Sequence, residues 1–291
     1  MVIDVHNHPF WYGYNTKRFI DDMDKNGIDK TVLLTWVSPV DEYDPKYNPV
    51  LPDVGENEGP ISFKSVLEMV KQEPDRFIPA YCPDPRKPEA IDKLMYAVDT
   101  YGVKICGELK MRMCYDNLDA ISMFRACGEK DLPVLVHLDD EWPVYKKYPR
   151  PNYWYGGGID ALERVLQKCP DTKIIGHAPG FWSYISGEED EFIPPYQDGV
   201  VKPGGKLVEM LRKYPNLYCD MSAGSGWKAL SRDMAFTEDF LTEFQDRVCF
   251  GRDCFEVWHL DLMKSLKLDE KIKDKIYYKN ASKLLKINIE E

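Results

Sequence analysis

The chain has 291 residues, 44% of them hydrophobic and 30% charged, a balance that fits a soluble globular protein and argues against disorder. A net charge of −11 with no basic patch argues against a nucleic-acid partner, and no apolar run approaches the ~20 residues of a membrane helix. The eight cysteines form no CxxC pair, and a strand is predicted from Val2 onward. No secretion signal is therefore expected, the cysteines read as reduced thiols, and the expected compartment is the cytoplasm.

Short apolar runs alternate with segments of helical period. Strands are predicted at Val2–His6, Thr31–Trp36, Phe77–Tyr81, Val103–Leu109, Pro133–Leu138, Lys173–His177, Leu217–Met221 and Val248–Gly251. Each is short and rich in Val, Ile, Leu, Cys or aromatics, as parallel strands buried on both faces should be. Between them Phe63, Val66, Leu67 and Val70 recur at helical spacing, as do Ile91, Leu94, Met95 and Val98, and Ile159, Leu162, Val165 and Leu166. Asn280-Ala-Ser-Lys-Leu-Leu reads as a closing helix with Asn280 as its N-cap. Eight strands alternating with helices predict a (β/α)₈ barrel of one domain, residues 1–291. An open doubly wound sheet is the rival, but its Gly-rich phosphate turn is missing: the first turn here is His-Asn-His-Pro.

Four long loops follow strands, at residues 9–15, 37–60, 139–157 and 182–203, the end of a barrel that carries chemistry. They hold many aromatics, among them Trp11, Tyr47, Trp142, Tyr155 and Trp182. These either anchor the loops or wall a ligand pocket.

Four of the five histidines fall where a predicted strand runs out: His6, His8, His137 and His177. His6 and His8 are spaced i, i+2, so an extended strand turns both to one side, where two imidazoles can share a metal ion. His137 or His177 could complete the shell, leaving the other to transfer protons or hold substrate. Asp253, after the last strand, is the natural carboxylate for ligation or proton transfer. Glu108 is a candidate further ligand. Lys110 is either a carbamylated bridging ligand, a grip for an anionic substrate or half of a buried ion pair with Glu108. Arg112, Arg150 and Arg252 are candidates for substrate anions, with Trp11, Trp142 and Trp182 as aromatic contacts. His259, inside a helical stretch, is read as structural.

With these residues in place the chain resembles the amidohydrolase superfamily, in its barrel-only, amidohydrolase-related group. The resemblance runs from Asp4-Val-His-Asn-His through His137, His177-Ala-Pro and Gly251-Arg-Asp to the Asn280 segment. It implies that His6, His8, His137 and Asp253 bind a divalent metal, with His177 beside the bound water. Zn²⁺ is the usual ion there and Mn²⁺ another candidate; one ion is expected rather than two. It also implies that Asp253 takes the proton of an activated water and passes it to the leaving group. Gly-Glu-Leu at 107–109 is closer to TatD-like nucleases, which place a metal-binding Glu at that point. Hydrolysis of a small amide, lactone or ester is the leading expectation. The alternatives are non-oxidative decarboxylation or hydration of a small carboxylated or aromatic acid, then a two-metal nuclease, then a non-catalytic binding barrel. A small-molecule substrate is the expected partner, and barrels of this kind often form homo-oligomers.

Overall fold

In the computed structural model, residues 1–53, 58–140, 153–188 and 193–288 are described. Eight parallel strands form in the predicted order: β1 (Ile3–Asn7), β2 (Lys30–Leu33), β3 (Phe77–Pro79), β4 (Cys106–Leu109), β5 (Val134–His137), β6 (Ile174–His177), β7 (Leu217–Asp220) and β8 (Val248–Cys249). Neighbours pair in the order β1-β2-β3 and β4-β5-β6-β7-β8. A parallel bridge between Ala80 and Ile105 joins β3 to β4. The Val5 N–H donates to the Phe250 carbonyl at 3.0 Å, bringing β8 back to β1 and closing the barrel. Among the described residues no helix is long and apolar enough to cross a membrane.

Two apolar layers follow from strand alternation. Ile3, Val5, Val32, Leu34, Ile78, Ile105, Leu135 and Ile175 pack together in the lumen, with Leu284 and Leu285 of the closing helix beneath them. The alternate residues Leu33, Phe77, Cys106, Val134, Ile174 and Leu217 pack outward under the helices. Those helices bury the stripes their periodicity predicts, such as Ile159, Leu162, Val165 and Leu166 of Ile159–Lys168. Asn280 is not an N-cap. Helical turns continue through Lys275–Lys279 ahead of it, and its amide donates to the Gln245 and Val248 carbonyls at 2.8 and 2.7 Å, tying the helix to β8.

Two strands depart from regular pairing, and both carry candidate ligands. Counting outward from Val5 in the lumen, plain alternation would turn His6 away from it. The register between β1 and β2 shifts between Asp4 and Asn7, a bulge-like irregularity that re-aims the side chains that follow. A similar shift lies between Cys106 and Leu109 in β4, around Glu108. On β5 and β6 the pairing is regular, and His137 lies opposite His177.

Candidate metal centre

The strand ends bring His6, His8, His177, Glu108 and Asp253 into one buried cluster at the mouth of the barrel. Among the described residues two sets of potential ligand atoms lie within 4.8 Å of one another: His6, Glu108 and His177, and His6, His8 and Asp253. His8 Nε2 is 3.4 Å from Asp253 Oδ1 and 3.6 Å from Glu108 Oε2, while His6 Nε2 is 3.7 Å from Asp253 Oδ1. His137 stands beside this cluster. Its Nδ1 is held by Glu108 Oε1 at 2.6 Å, and its buried Nε2, 3.9 Å from Asp139 Oδ2, has no hydrogen-bond partner among the described residues. The family resemblance implies His137 as a ligand and His177 beside the water; here it is His177 whose donor atom gathers with His6 and Glu108.

The outer nitrogens of the histidines are tied down, and the tie fixes which nitrogen is free. The His8 Nδ1 donates to the Leu34 carbonyl at 3.0 Å, since a carbonyl can only accept. His6 Nδ1 lies 2.6 Å from Asp220 Oδ2. His177 Nδ1 faces the same carboxylate at 3.2 Å and Ser222 Oγ at 3.0 Å. Each ring thus turns Nε2 toward the cluster. His6 Nε2, His177 Nε2 and Asp253 Oδ1 are buried and, among the described residues, have no hydrogen-bond partner. Three buried orphans converging on one point carry a desolvation cost that a bound cation relieves, and three imidazoles with two carboxylates are a donor set that divalent Zn²⁺ or Mn²⁺ accepts. The residues fit a metal ion.

Asp220 and Ser222 escaped the sequence reading. The signal was present, since Leu-Tyr-Cys-Asp ends the seventh strand with an acid just as the eighth ends toward Asp253. Asp220 is fully buried, and besides the two histidines it accepts from the Ser222 hydroxyl at 2.8 Å and the Ser222 N–H at 2.9 Å. Gly251 makes room for it, because a Cβ there would collide with Asp220 Oδ1 and crowd His6. Asp253 itself is in the left-handed region (φ 53°), which an aspartate tolerates, with its N–H donating to the His6 carbonyl at 2.8 Å.

Charge balance in the cluster is lopsided. Burial opposes a His6 cation, but Asp253, Asp220 and Glu108 outweigh it and lift its pKa to about 9. His177 goes the other way, because burial and the His6 charge both disfavour its cation. Burial would raise Glu108, yet Lys110, His137 and His6 hold it well below the usual carboxylate range. Asp253 is likewise held low against its burial by His6 and His8.

A cavity of about 520 Å³ opens above the cluster, walled by Trp11, Tyr14, Trp36, Tyr47 and Phe255, with His8, His137, His177 and Asp253 on its floor. Lys110 also lines it. Three residues expected at the substrate do not. Arg252 is fully buried, its Nε donating to Asp4 at 3.1 Å and its Nη2 to Asp22 at 2.9 Å, so it braces β8 against β1 from behind. Trp182 is buried in the core, where its indole N–H donates to the Asp220 carbonyl at 3.0 Å. Arg112 is not among the residues that line the cavity, and its guanidinium lies 3.8 Å from Asp41. Trp142 and Arg150 lie outside the described residues. His259 is buried, with Nε2 against the Ala223 carbonyl at 3.0 Å. All eight cysteines are free thiols.

The sequence profile of the amidohydrolase family matches residues 3–287. The chain belongs to the amidohydrolase family. It is accordingly an enzyme of the amidohydrolase superfamily. Solved structures similar to this amidohydrolase include 2,6-dihydroxybenzoate decarboxylase from Rhizobium (16% identity over 98% of each chain, TM-score 0.62). Another is a dihydroxybenzoic acid decarboxylase from Polaromonas sp. JS666 with bound manganese and the inhibitor 2-nitroresorcinol (19% identity, 94% of this chain and 86% of that chain, TM-score 0.59). A third is a probable 2-pyrone-4,6-dicarboxylic acid hydrolase from Acinetobacter baumannii with citric acid bound (14% identity, 98% and 99% of the two chains, TM-score 0.59). No curated protein matches the chain.

Proposed function

We propose that this amidohydrolase is a metal-dependent, non-oxidative decarboxylase of a small aromatic carboxylic acid. The observation that carries the reading is the juxtaposition of the buried donor cluster with an aromatic-walled cavity of about 520 Å³, of a size for a single-ring acid. The likeness to decarboxylases of dihydroxybenzoates supports it and moves the balance away from hydrolysis.

His6, His8, His177, Glu108 and Asp253 would hold one divalent ion, Zn²⁺ or Mn²⁺; the two ligand sets share His6, which favours a single ion. A bound ion supplies a Lewis acid that anchors the oxygens of the substrate and draws charge from the ring. The chain's own residues do the rest. Trp11, Trp36 and Phe255 stack on the ring and exclude water. When the bond from ring to carboxylate breaks, CO₂ leaves and its electron pair stays on the ring carbon, which takes a proton. Asp253, 18% exposed toward the cavity, carries that proton and is recharged from solvent through the mouth.

Hydrolysis of a lactone or ester has one observation in its favour. His6 and His8 hold Asp253 in the ionised state that a general base for water needs. Incubation with hydroxybenzoates on one side and with lactones, esters and amides on the other separates the two. Release of CO₂ from the acids is expected; hydrolysis without CO₂ release would replace the reading.

A further inference from the structure

Lys110 follows β4, two residues beyond Glu108. Its ammonium lies 4.0 Å from the centre of the Trp36 ring, 5.5 Å from Tyr47 and 5.8 Å from Tyr155. The Trp36 indole N–H donates to the Lys110 carbonyl at 3.1 Å, so ring and lysine are fixed as one unit. Lys110 is half-buried and lines the cavity, and among the described residues it makes no ion pair. Glu108 feels its charge but bonds His137 instead. This placement is that of a cation on aromatic faces. The three rings stabilise an ammonium without neutralising it, which leaves the charge directed at whatever enters the cavity.

A cation in a decarboxylase pocket meets a constraint. The carboxylate that leaves becomes neutral CO₂, so a lysine gripping it would stabilise the ground state over the transition state and slow the reaction. A cation is useful there only to a group that keeps its charge throughout. Resting on the decarboxylase reading, we propose that Lys110 binds a second acidic group of the substrate, one retained in the product. The substrate class is then a ring acid with two acidic groups, the departing one at the metal cluster and the lasting one on the Trp36–Tyr47 side. Arg18, the other Lys or Arg lining the cavity among the described residues, is a different case. Its guanidinium lies over Tyr14 at 3.7 Å, and Tyr14 stacks on Phe255 at 3.5 Å, but Arg18 is exposed and shares its rim with Glu256. Water screens it, and it is the natural control.

Calorimetric binding of benzoate and of benzene-1,3-dicarboxylate to the metal-loaded enzyme tests the assignment. Wild type should bind the diacid about tenfold more tightly than the monoacid, the gain expected of one charge-assisted contact. Lys110→Met should abolish that preference, Lys110→Arg should keep most of it, and Arg18→Gln should leave it. Equal binding of both acids by wild type, or a preference that survives Lys110→Met, overturns the proposal. Because binding is read without turnover, this outcome is independent of whether CO₂ is released.

Discussion

Two charge networks meet around β1 and β8, and they are built to opposite ends. Asp4, Arg252 and Asp22 form the first. Arg252 donates through its backbone N–H, Nε and Nη2, and both Asp4 oxygens accept. The second comprises Asp220, Glu108, Asp253 and the histidines, and there the inward-facing atoms His6 Nε2, His177 Nε2 and Asp253 Oδ1 have no hydrogen-bond partner among the described residues. Asp4 and Arg252 in the one network and Asp220, Glu108 and His6 in the other are all buried, so burial alone says nothing about function. What separates them is where the polar capacity is left open. The first network leaves only Arg252 Nη1 without a hydrogen-bond partner and braces the barrel seam, whereas the second leaves several donor atoms open toward a single point and asks for a ligand.

Substitution should split the two. Asp253→Asn is expected to lower turnover by about 10²–10⁴-fold, the range for losing a proton-transfer group, with the protein still folded. Steady-state CO₂ release together with denaturant unfolding checks both halves, and unfolding rather than inactivity would place Asp253 with the bracing network. Asp4→Ala should do the reverse. It leaves Arg252 buried with only Asp22, which costs roughly 3–5 kcal/mol of stability. Urea titration reads this directly, and a stability change well under 1 kcal/mol would show that the seam does not depend on the pair.

His259 sharpens the contrast from within one residue type. Burial pulls its pKa down from 6.5 to about 4, against the Ala223 carbonyl contact that favours the cation. A histidine kept neutral in the fold takes up a proton more readily when unfolded. Its contribution is therefore complete above pH 6.5 and is lost as pH falls toward 4, by roughly 3 kcal/mol at the most. His259→Gln should flatten that part of the stability curve while leaving metal uptake untouched; an unchanged slope between pH 6.5 and 4 would contradict the assignment.

Much of this was legible in the chain. All eight strands were, because buried parallel strands write themselves as apolar runs, and so were the helices with a clear apolar stripe. His137 and His177 could be placed because β5 and β6 pair regularly. Glu108 and the His6–His8 pair were visible at strand ends, and the i, i+2 spacing puts the two histidines on one side; the register shifts in β1 and β4 beside these residues are what periodicity cannot show. Arg252 and Trp182 were misread for a related reason. A motif tells which strand end a residue occupies, and not whether its side chain turns to the mouth or to the layer behind, where Asp4 and Asp220 wait for them. Asn280 looked like a cap because a polar residue before an apolar stretch usually is one, while here it secures β8.

Asp220 is where the two kinds of network come closest, since it is a closed carboxylate serving an open cluster. It holds His6 Nδ1 at 2.6 Å and His177 Nδ1 at 3.2 Å, and so keeps both Nε2 lone pairs directed inward. Asp220→Asn keeps the shape but removes the charge that favours the Nδ1–H form of both rings. Metal affinity should fall about 10–100-fold, the usual cost of losing a carboxylate behind a ligating histidine. Competition with a chelating indicator for Zn²⁺ or Mn²⁺ measures the change. Affinity equal to that of the wild type, with stability reduced as in Asp4→Ala, would move Asp220 into the bracing network and leave the histidines oriented by packing alone.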